Sequence, residues 1–418
     1  MIFYKETNFK ETFIGNIPKD WELVRLPDIA EDIYYGITAK AVENKTDLKI
    51  LRTTDIKDYN VNWNALPFCE ITEKRGDIQR FSLKKGDLVI ARSGTTGVSV
   101  LVEKDLENII FGSYLIKVKL SRKVHPKFMH YFCQSHLYWN HITSSHAGST
   151  LKNISLPVLK SLNVPLPSLF EQQKIAEILL TVDEAVQKTD EVITRTERLK
   201  KGLMQELLTK GIGHKEFKDT EIGKIPKTWQ VVNIGDVCEQ RNEVVQPSKS
   251  NKEPFVGLEH IASGETRLHK FVQSTDVKSA KFRFYAGDIL YGKLRPYLDK
   301  AVIADFNGIC STDLLVLTPK ENLLKEFLIY ILHSNDFIKH AIATTTGTNH
   351  PRTSWSAIGN FKFGLPECSE QQKISETLSI VDIKLELEKK EKARLERIKR
   401  GLMDLLLTGK IRVKVDHH

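Results

Sequence analysis

Four short polar segments hold the residues of this chain best suited to chemistry. Arg92, Ser93, Thr95 and Thr96 lie in the first, and Ser149, Thr150, Lys152 and Asn153 in the second. Tyr291, Lys293, Arg295 and Tyr297 form the third, and Asn349, Arg352 and Thr353 belong to the fourth. Such side chains present hydrogen-bond donors and acceptors outward, which suits reading base edges and gripping phosphates. A guanidinium offers two donors to one base edge, so Arg92, Arg295 and Arg352 are candidate guanine or phosphate readers, and Lys152 and Lys293 candidate phosphate contacts. His146 and His350 adjoin the same segments, where a loop histidine is more often simply solvated. Exposed loops also drift in sequence without any function, which is the plain alternative. Bond-making chemistry has less support. The chain has no Asn-Pro-Pro-Tyr or Asp-Pro-Pro-Tyr motif, no nucleotide-binding glycine loop, and no His-Glu-x-x-His or paired-cysteine metal signature. No catalytic residue, metal site or cofactor is therefore expected, and the chain should bind rather than react.

The elements that position these segments occur twice. Phe9 to Trp21 and Phe217 to Trp229 match at 9 of 13 positions, a shift of 208. Glu171-Gln172-Gln173-Lys174-Ile175 recurs unchanged as Glu370-Gln371-Gln372-Lys373-Ile374, and Gly202-Leu203-Met204 as Gly401-Leu402-Met403, both at a shift of 199. The framework is repeated while the middles differ, as a protein holding two unlike recognition surfaces requires. Each half opens with short apolar runs between turn residues, predicting strands and hairpins. A Gly-Asp turn enters a strand in both, at Gly86-Asp87 and Gly287-Asp288, where glycine supplies a positive φ and a structural role is expected. Helical stretches follow over Pro126 to Tyr138 and Leu324 to Lys339, then strand-like closes at Leu166-Pro167 and Leu365-Pro366. Trp21 and Trp229, each following proline in the shared framework, read as packing anchors.

Beyond those prolines the apolar period lengthens. Ile175, Leu179, Val182, Val186, Thr189, Ile193, Thr196, Leu203 and Leu207 fall at alternating steps of four and three, with Lys200 interrupting. Ile374, Leu378, Val381, Leu385, Leu395, Leu402 and Leu406 repeat the pattern, interrupted by Glu388 and Lys392. This is a coiled-coil seam. Ser168 with Glu171 reads as a capping box and Gly211 as a stop, giving a helix ~60 Å long. One apolar stripe needs a partner, and antiparallel pairing with the other copy supplies it. The expected class is α+β, with two β-rich domains separated by two long antiparallel coiled-coil helices in a pseudo-twofold internal repeat. The boundaries are 1–167 for the first domain, 168–210 for its helix, 211–366 for the second domain, 367–411 for its helix, and 412–418 for a tail in which His417 and His418 carry no assigned role.

Composition permits this reading without demanding it. The 418 residues suffice for two cores, and a net charge of +9 allows a polyanionic partner. No apolar run approaches the roughly 18 residues a membrane helix needs, so no membrane partner is expected. The N-terminus lacks a secretory pattern, and a cytoplasmic location is expected. With five widely spaced cysteines, neither disulfides nor structural zinc is expected.

The Ile-Pro-x-x-Trp motifs (Ile17, Pro18, Trp21; Ile225, Pro226, Trp229), the Leu-Pro closes, the Glu-Gln-Gln-Lys-Ile helix starts and the Gly-Leu-Met-x-x-Leu-Leu helix ends carry a resemblance covering nearly the whole chain. Their order and duplication resemble the specificity subunit of type I restriction-modification systems. The resemblance implies two target-recognition domains, each reading one part of a split double-stranded DNA sequence. It implies modification (methyltransferase) subunits, in two copies, and ATP-dependent restriction endonuclease subunits as partners that carry the catalysis. Glu171, Gln172, Gln173 and Lys174, with Glu370, Gln371, Gln372 and Lys373, are the candidate docking residues, a capped and solvated first turn being the alternative. The alternative function is a coiled-coil scaffold joining two protein-binding modules. An enzyme with an unrecognised site is more remote.

Overall fold

The computed structural model describes residues 3–71, 78–144, 153–247, 252–274 and 279–414. The chain divides into two compact units, Met1–Asp190 with Glu391–His418, and Glu191–Lys390. Both long helices, Leu169–Lys210 and Cys368–Leu407, are cut by this division, so each unit owns one β-rich domain, the start of one helix and the end of the other. Gly211 ends the first helix as expected, at φ +65°. The second stops at Leu407 rather than 411, with Gly409 at φ +70°, and the supposed tail begins inside a strand, Ile411–Val413.

In the first unit, strands Ser99–Leu101, Leu88–Ala91, Leu115–Leu120 and Ala30–Tyr35 form an antiparallel sheet in that order. A second, five-stranded sheet contains one parallel pair, Leu106–Phe111 with Lys49–Leu51. The second unit repeats both sheets. Its four strands run Cys238–Arg241, Leu314–Pro319, Ile289–Gly292, Ala301–Ile303, and its parallel pair is Pro254–Val256 with Gly308–Cys310. Leu88 and Ile90 pack in the core with Trp21 and Phe128, whereas Val89 and Ala91 enter the other core with Ile50 and Phe111. A strand buried on both faces needs apolar residues at every position, which is why Leu88–Ala91 and Ile289–Leu290 read as unbroken apolar runs.

The Gly-Asp turns are structural: Gly86 and Gly287 take φ +93° and +99°. Asp87 accepts from the Lys84 amide at 2.9 Å, and Asp288 from the Tyr285 amide at 2.8 Å. Each predicted helical stretch is two helices, Pro126–Phe132 and His136–Ser144, then Lys325–Leu332 and Asn335–Ala343. A serine splits them: Ser135 and Ser334 accept amide hydrogen bonds from Tyr138 and Phe337, both at 3.3 Å. Side-chain capping of this kind competes with helix continuation.

The coiled-coil pattern is visible within each unit. In the first, Ile175 and Leu179 share a core with Met403, Leu406 and Leu407; in the second, Ile374 and Leu378 share one with Met204 and Leu208. The start of one helix meets the end of the other, so they run antiparallel. Buried Thr189 and Thr196 return their hydroxyls to the carbonyls of Ala185 and Val192. Two of the polar interruptions, Lys392 and Lys200, form cross-helix ion pairs, and Lys399 adds a third such pair. Lys392 meets Asp190 at 2.6 Å, Lys200 meets Asp382 at 2.5 Å, and Lys399 meets Asp183 at 2.7 Å. Tyr131 and Tyr330 donate to Asp183 and Asp382 at 2.8 and 2.9 Å, tying each helix pair to its own domain. Among the described residues, no helix is long and apolar enough to cross a membrane.

One buried group makes the first unit acid-sensitive. His130 is pushed down to about 4 by burial and then by the Lys399 charge. Below pH 6.5 the unfolded chain takes up a proton that the folded unit refuses until about pH 4. Stability should therefore fall across that window by about 3 kcal/mol. Ile329 stands at the equivalent place in the second unit, one residue before Tyr330 as His130 stands before Tyr131. Thermal melting between pH 4 and 7 should show a sloping midpoint for the first unit and a flatter one for His130→Ile. Equal slopes would dismiss His130 as the cause.

Candidate nucleic-acid interface

In the first unit, strand Leu88–Ala91 runs directly into the loop 92–97, which Gly94 and Gly97 turn at φ +76° and +89°. The Gly97 amide returns to the Ala91 carbonyl at 2.8 Å and closes the loop. The Arg92 amide donates to Tyr114 O at 2.9 Å, and the Ile154 amide to Arg92 O at 2.8 Å. Ser93 bridges Asn153. Two segments far apart in sequence are thereby joined edge to edge. The Arg92 guanidinium lies over the Tyr35 ring, 4.4 Å from its centroid, and its Nε is buried with no partner among the described residues. Cation–π stacking of this kind holds an arginine in place while leaving its far edge usable. Tyr35 in turn accepts from the Leu156 amide at 3.0 Å.

The second unit repeats the backbone arrangement with other side chains. The Lys293 amide donates to Asp313 O and the Thr353 amide to Lys293 O, both at 3.0 Å. Arg295 donates its amide to Pro351 O at 2.8 Å, and Leu294 bridges Arg352. Thr346 and Arg352 exchange backbone hydrogen bonds of 2.9 and 3.0 Å around Gly347, forming a small hairpin. Arg295 and Asp299 adopt left-handed backbone at φ +53° and +50°, a strained choice for side chains of this size. Asp299 is braced by His333, Nδ1 to Oδ1 at 2.6 Å, with His333 Nε2 at 3.0 Å from Ala301 O. This holds Tyr297, 54% exposed, at the surface of the turn.

Most of the loop residues predicted from sequence are placed where they could touch a ligand. Arg92, Ser93 and Lys293 are half-buried, and Thr95, Asn153, Arg295, Tyr297, Asn349 and Arg352 are exposed. Three are corrected. Tyr291 is buried and packs edge-on against Phe337, because the strand Ile289–Gly292 alternates and sends its ring to the helix side. Thr96 and Thr353 are also buried, inside the loops they help shape. Ser149, Thr150 and Lys152, with His146, lie outside the described residues. Sequence reading passed over Tyr35, Asp313 and Tyr114. Tyr114 precedes Leu115 and Asp313 precedes Leu314, matching strand starts 199 residues apart, and that shift could have flagged them.

The repeated helix starts are mostly internal. Glu171, 2% exposed, accepts from Trp21 Nε1 at 3.2 Å and from Arg412 at 2.5 and 2.8 Å. Ser168 Oγ caps the Glu171 amide at 3.3 Å, but the Glu171 carboxylate turns to Trp21 and Arg412 rather than back to Ser168, so the box is half made. Gln172 and Gln371 are buried. Each accepts a loop amide, from His125 at 2.7 Å and from Leu324 at 2.8 Å, and donates to the carbonyl of Pro167 or Pro366 at 2.9 Å. Glu370 accepts from Trp229 Nε1 at 3.0 Å and pairs with His214 at 2.8 Å. Side chains so engaged are removed from any docking surface. Gln173, Gln372 and Lys373 are exposed and Lys174 half-buried, so these four keep that possibility. Among the described residues no group of histidine, cysteine, aspartate or glutamate could hold a metal ion.

Residues 18–195 and 226–397 match the family model of the type I restriction modification DNA specificity domain. The chain is 31% identical to the putative type I restriction enzyme MjaX specificity subunit of Methanocaldococcus jannaschii, over 99% of this chain and 98% of that one. It is 29% identical to the MjaVIII specificity subunit of the same organism, over 99% and 98%. The solved S subunit of a type I restriction-modification system from M. genitalium superposes with a TM-score of 0.57 at 17% identity, covering 98% of this chain and 100% of that one.

Proposed function

The chain belongs to the type I restriction-modification DNA specificity family, and from that premise we propose that its two units each read one half of an asymmetric, bipartite DNA target. The observation that carries this is the pair of loop junctions, 92–97 with 153–154 and 293–297 with 351–353. They are built on equivalent backbone hydrogen bonds and furnished with different side chains. One framework fixing two unlike donor sets is what discrimination between two unlike base sequences requires. Arg92, Ser93, Thr95, Asn153, Lys293, Arg295, Tyr297, Asn349 and Arg352 are the contacts, with Ser149, Thr150 and Lys152 continuing the first set. The subunit reads and does not react. Methyl transfer belongs to modification subunits, two of them, docking at the helix starts through the exposed Gln173, Gln372 and Lys373 and the half-buried Lys174. Cleavage belongs to ATP-dependent restriction subunits, and the assembly works in the cytoplasm.

The test is to map methylated adenines in genomic DNA from cells expressing the modification subunit with and without this chain. A split, asymmetric motif that depends on the chain is the expected result. An active methyltransferase with no chain-dependent motif would overturn the reading. The same assay measures the helices as a ruler. Adding one helical turn of four residues to both helices, in register, lengthens them by ~6 Å and should widen the unread spacer by roughly two base pairs. The half-sites should not change; an unchanged spacer would show that helix length does not set it.

A further inference from the structure

Of the three candidate arginines Arg92, Arg295 and Arg352, Arg352 alone among the described residues has a carboxylate beside it. Its Nε donates to Asp313 Oδ1 at 3.1 Å, and the two side chains are 45% and 32% exposed. Asp313 is itself held by the backbone at the loop junction. Its amide donates to Ser311 Oγ at 3.2 Å and its carbonyl accepts from the Lys293 amide at 3.0 Å. Arg352 is likewise pinned, its amide and carbonyl both engaged with Thr346. Both ends of the pair are therefore fixed to rigid backbone.

That arrangement narrows what Arg352 can do. A guanidinium carries five N–H groups in a planar fork, and with Nε committed, the remaining approach is through Nη1 and Nη2 together. Two parallel donors of that spacing match O6 and N7 of guanine in the major groove. Holding the plane in advance lowers the ordering cost of binding. The carboxylate also discriminates by charge. It lies against the same guanidinium, so it opposes a phosphate anion but not the neutral edge of a base. A simple phosphate grip would need neither the fixed plane nor the negative neighbour.

We propose that Arg352 reads a guanine in the half-site of the second unit, and that Asp313 is the positioning residue that aims it. This rests on the recognition function proposed above. The device is confined to one half-site. By the matching backbone contacts, the place of Asp313 in the first unit is taken by Tyr114, and the cross-strand place of Arg352 by Asn153.

The full chain, co-expressed with its modification subunit, would be compared as wild type, Arg352→Ala, Arg352→Lys, Asp313→Ala and Asp313→Asn, reading the methylated-adenine motif of each. In the wild type, the second half-site should contain a required guanine on one strand. Arg352→Ala, Arg352→Lys and Asp313→Ala should each relax that single position, with discrimination falling roughly 10- to 100-fold. The first half-site and the spacer should be unchanged. Asp313→Asn keeps an acceptor for Nε and should retain more of the preference than Asp313→Ala. Retention of the guanine requirement in Arg352→Ala would mean that another residue reads that base and would overturn the proposal. So would an unrelaxed motif in Asp313→Ala, or relaxation at a base other than guanine. A wild type with no chain-dependent motif would instead overturn the recognition function, and this proposal with it.

Discussion

Arg412→Ala should destabilise the first unit by about 3–5 kcal/mol, the usual result of removing one partner from a buried charge cluster. The Arg412 side chain is 8% exposed and meets three carboxylates: Glu6 at 2.7 Å, Asp20 at 2.8 and 2.9 Å, and Glu171 at 2.5 and 2.8 Å. Asp20 can return to water, but Glu171, 2% exposed, cannot, and without the guanidinium it would be a buried charge without a countercharge. The hydrogen bond from Arg412 holds the Asp20 carboxyl below its usual range, a stabilisation that the variant loses at neutral pH. The loss would also reach the chain ends. Arg412 sits in the strand that pairs Ile411–Val413 with Phe3–Lys5, so its removal weakens the joint that closes the unit. Calorimetry should show a first-unit transition lowered by roughly 10 °C or more, with the second unit's transition in place. Arg412→Met fills similar volume without charge and should not rescue it. An unmoved transition would show that the cluster contributes nothing net.

Trp229→Ala should cost the second unit a similar amount, about 3–5 kcal/mol, through a cavity its neighbours cannot fill. The indole is 1% exposed and the backbone is built around it. A Cβ added at Gly364 would lie 2.7 Å from its Cε3, and one at Gly211 would lie 2.7 Å from its Cζ2. Two glycine positions thus have no slack to move toward a void except by shifting main chain. The substitution also removes the 3.0 Å donor to Glu370, which would keep His214 and the Ile212 amide. Trp229→Phe should therefore recover most but not all of the loss. The readout is the second unit's unfolding transition. A loss below 1 kcal/mol for the alanine variant would mean that Trp229 is peripheral rather than an anchor, against its burial.

Much of the architecture was legible because it rests on local rules. The apolar period of three and four marks the long helices, since a straight stripe must face a partner whatever surrounds it. Gly86, Gly287 and Gly211 mark turns and a helix end because a positive φ is a property of one residue. The duplicated frame around Trp21 and Trp229 follows from identical residues at identical spacing. The interruptions at Lys200 and Lys392 were legible only as exceptions, and Lys399 was not singled out at all. That Lys200, Lys392 and Lys399 meet Asp382, Asp190 and Asp183 depends on helix register, which no single stripe specifies.

The sequence by itself determined the two-fold repeat, the element types and the four polar segments, all read from residue type and spacing along one strand of chain. Only the tertiary structure decided which of those residues face outward and which are joined. Tyr291 reads as a loop-edge aromatic but lies on a strand buried on both faces, and Glu171 and Gln371 read as docking residues at the helix starts but satisfy buried amides, an indole and a guanidinium. The Asp313–Arg352 pair joins residues 39 apart through the meeting of two loops. Direction of a side chain is set by packing across the sheet and between segments, and that three-dimensional closure leaves no periodic trace in the sequence.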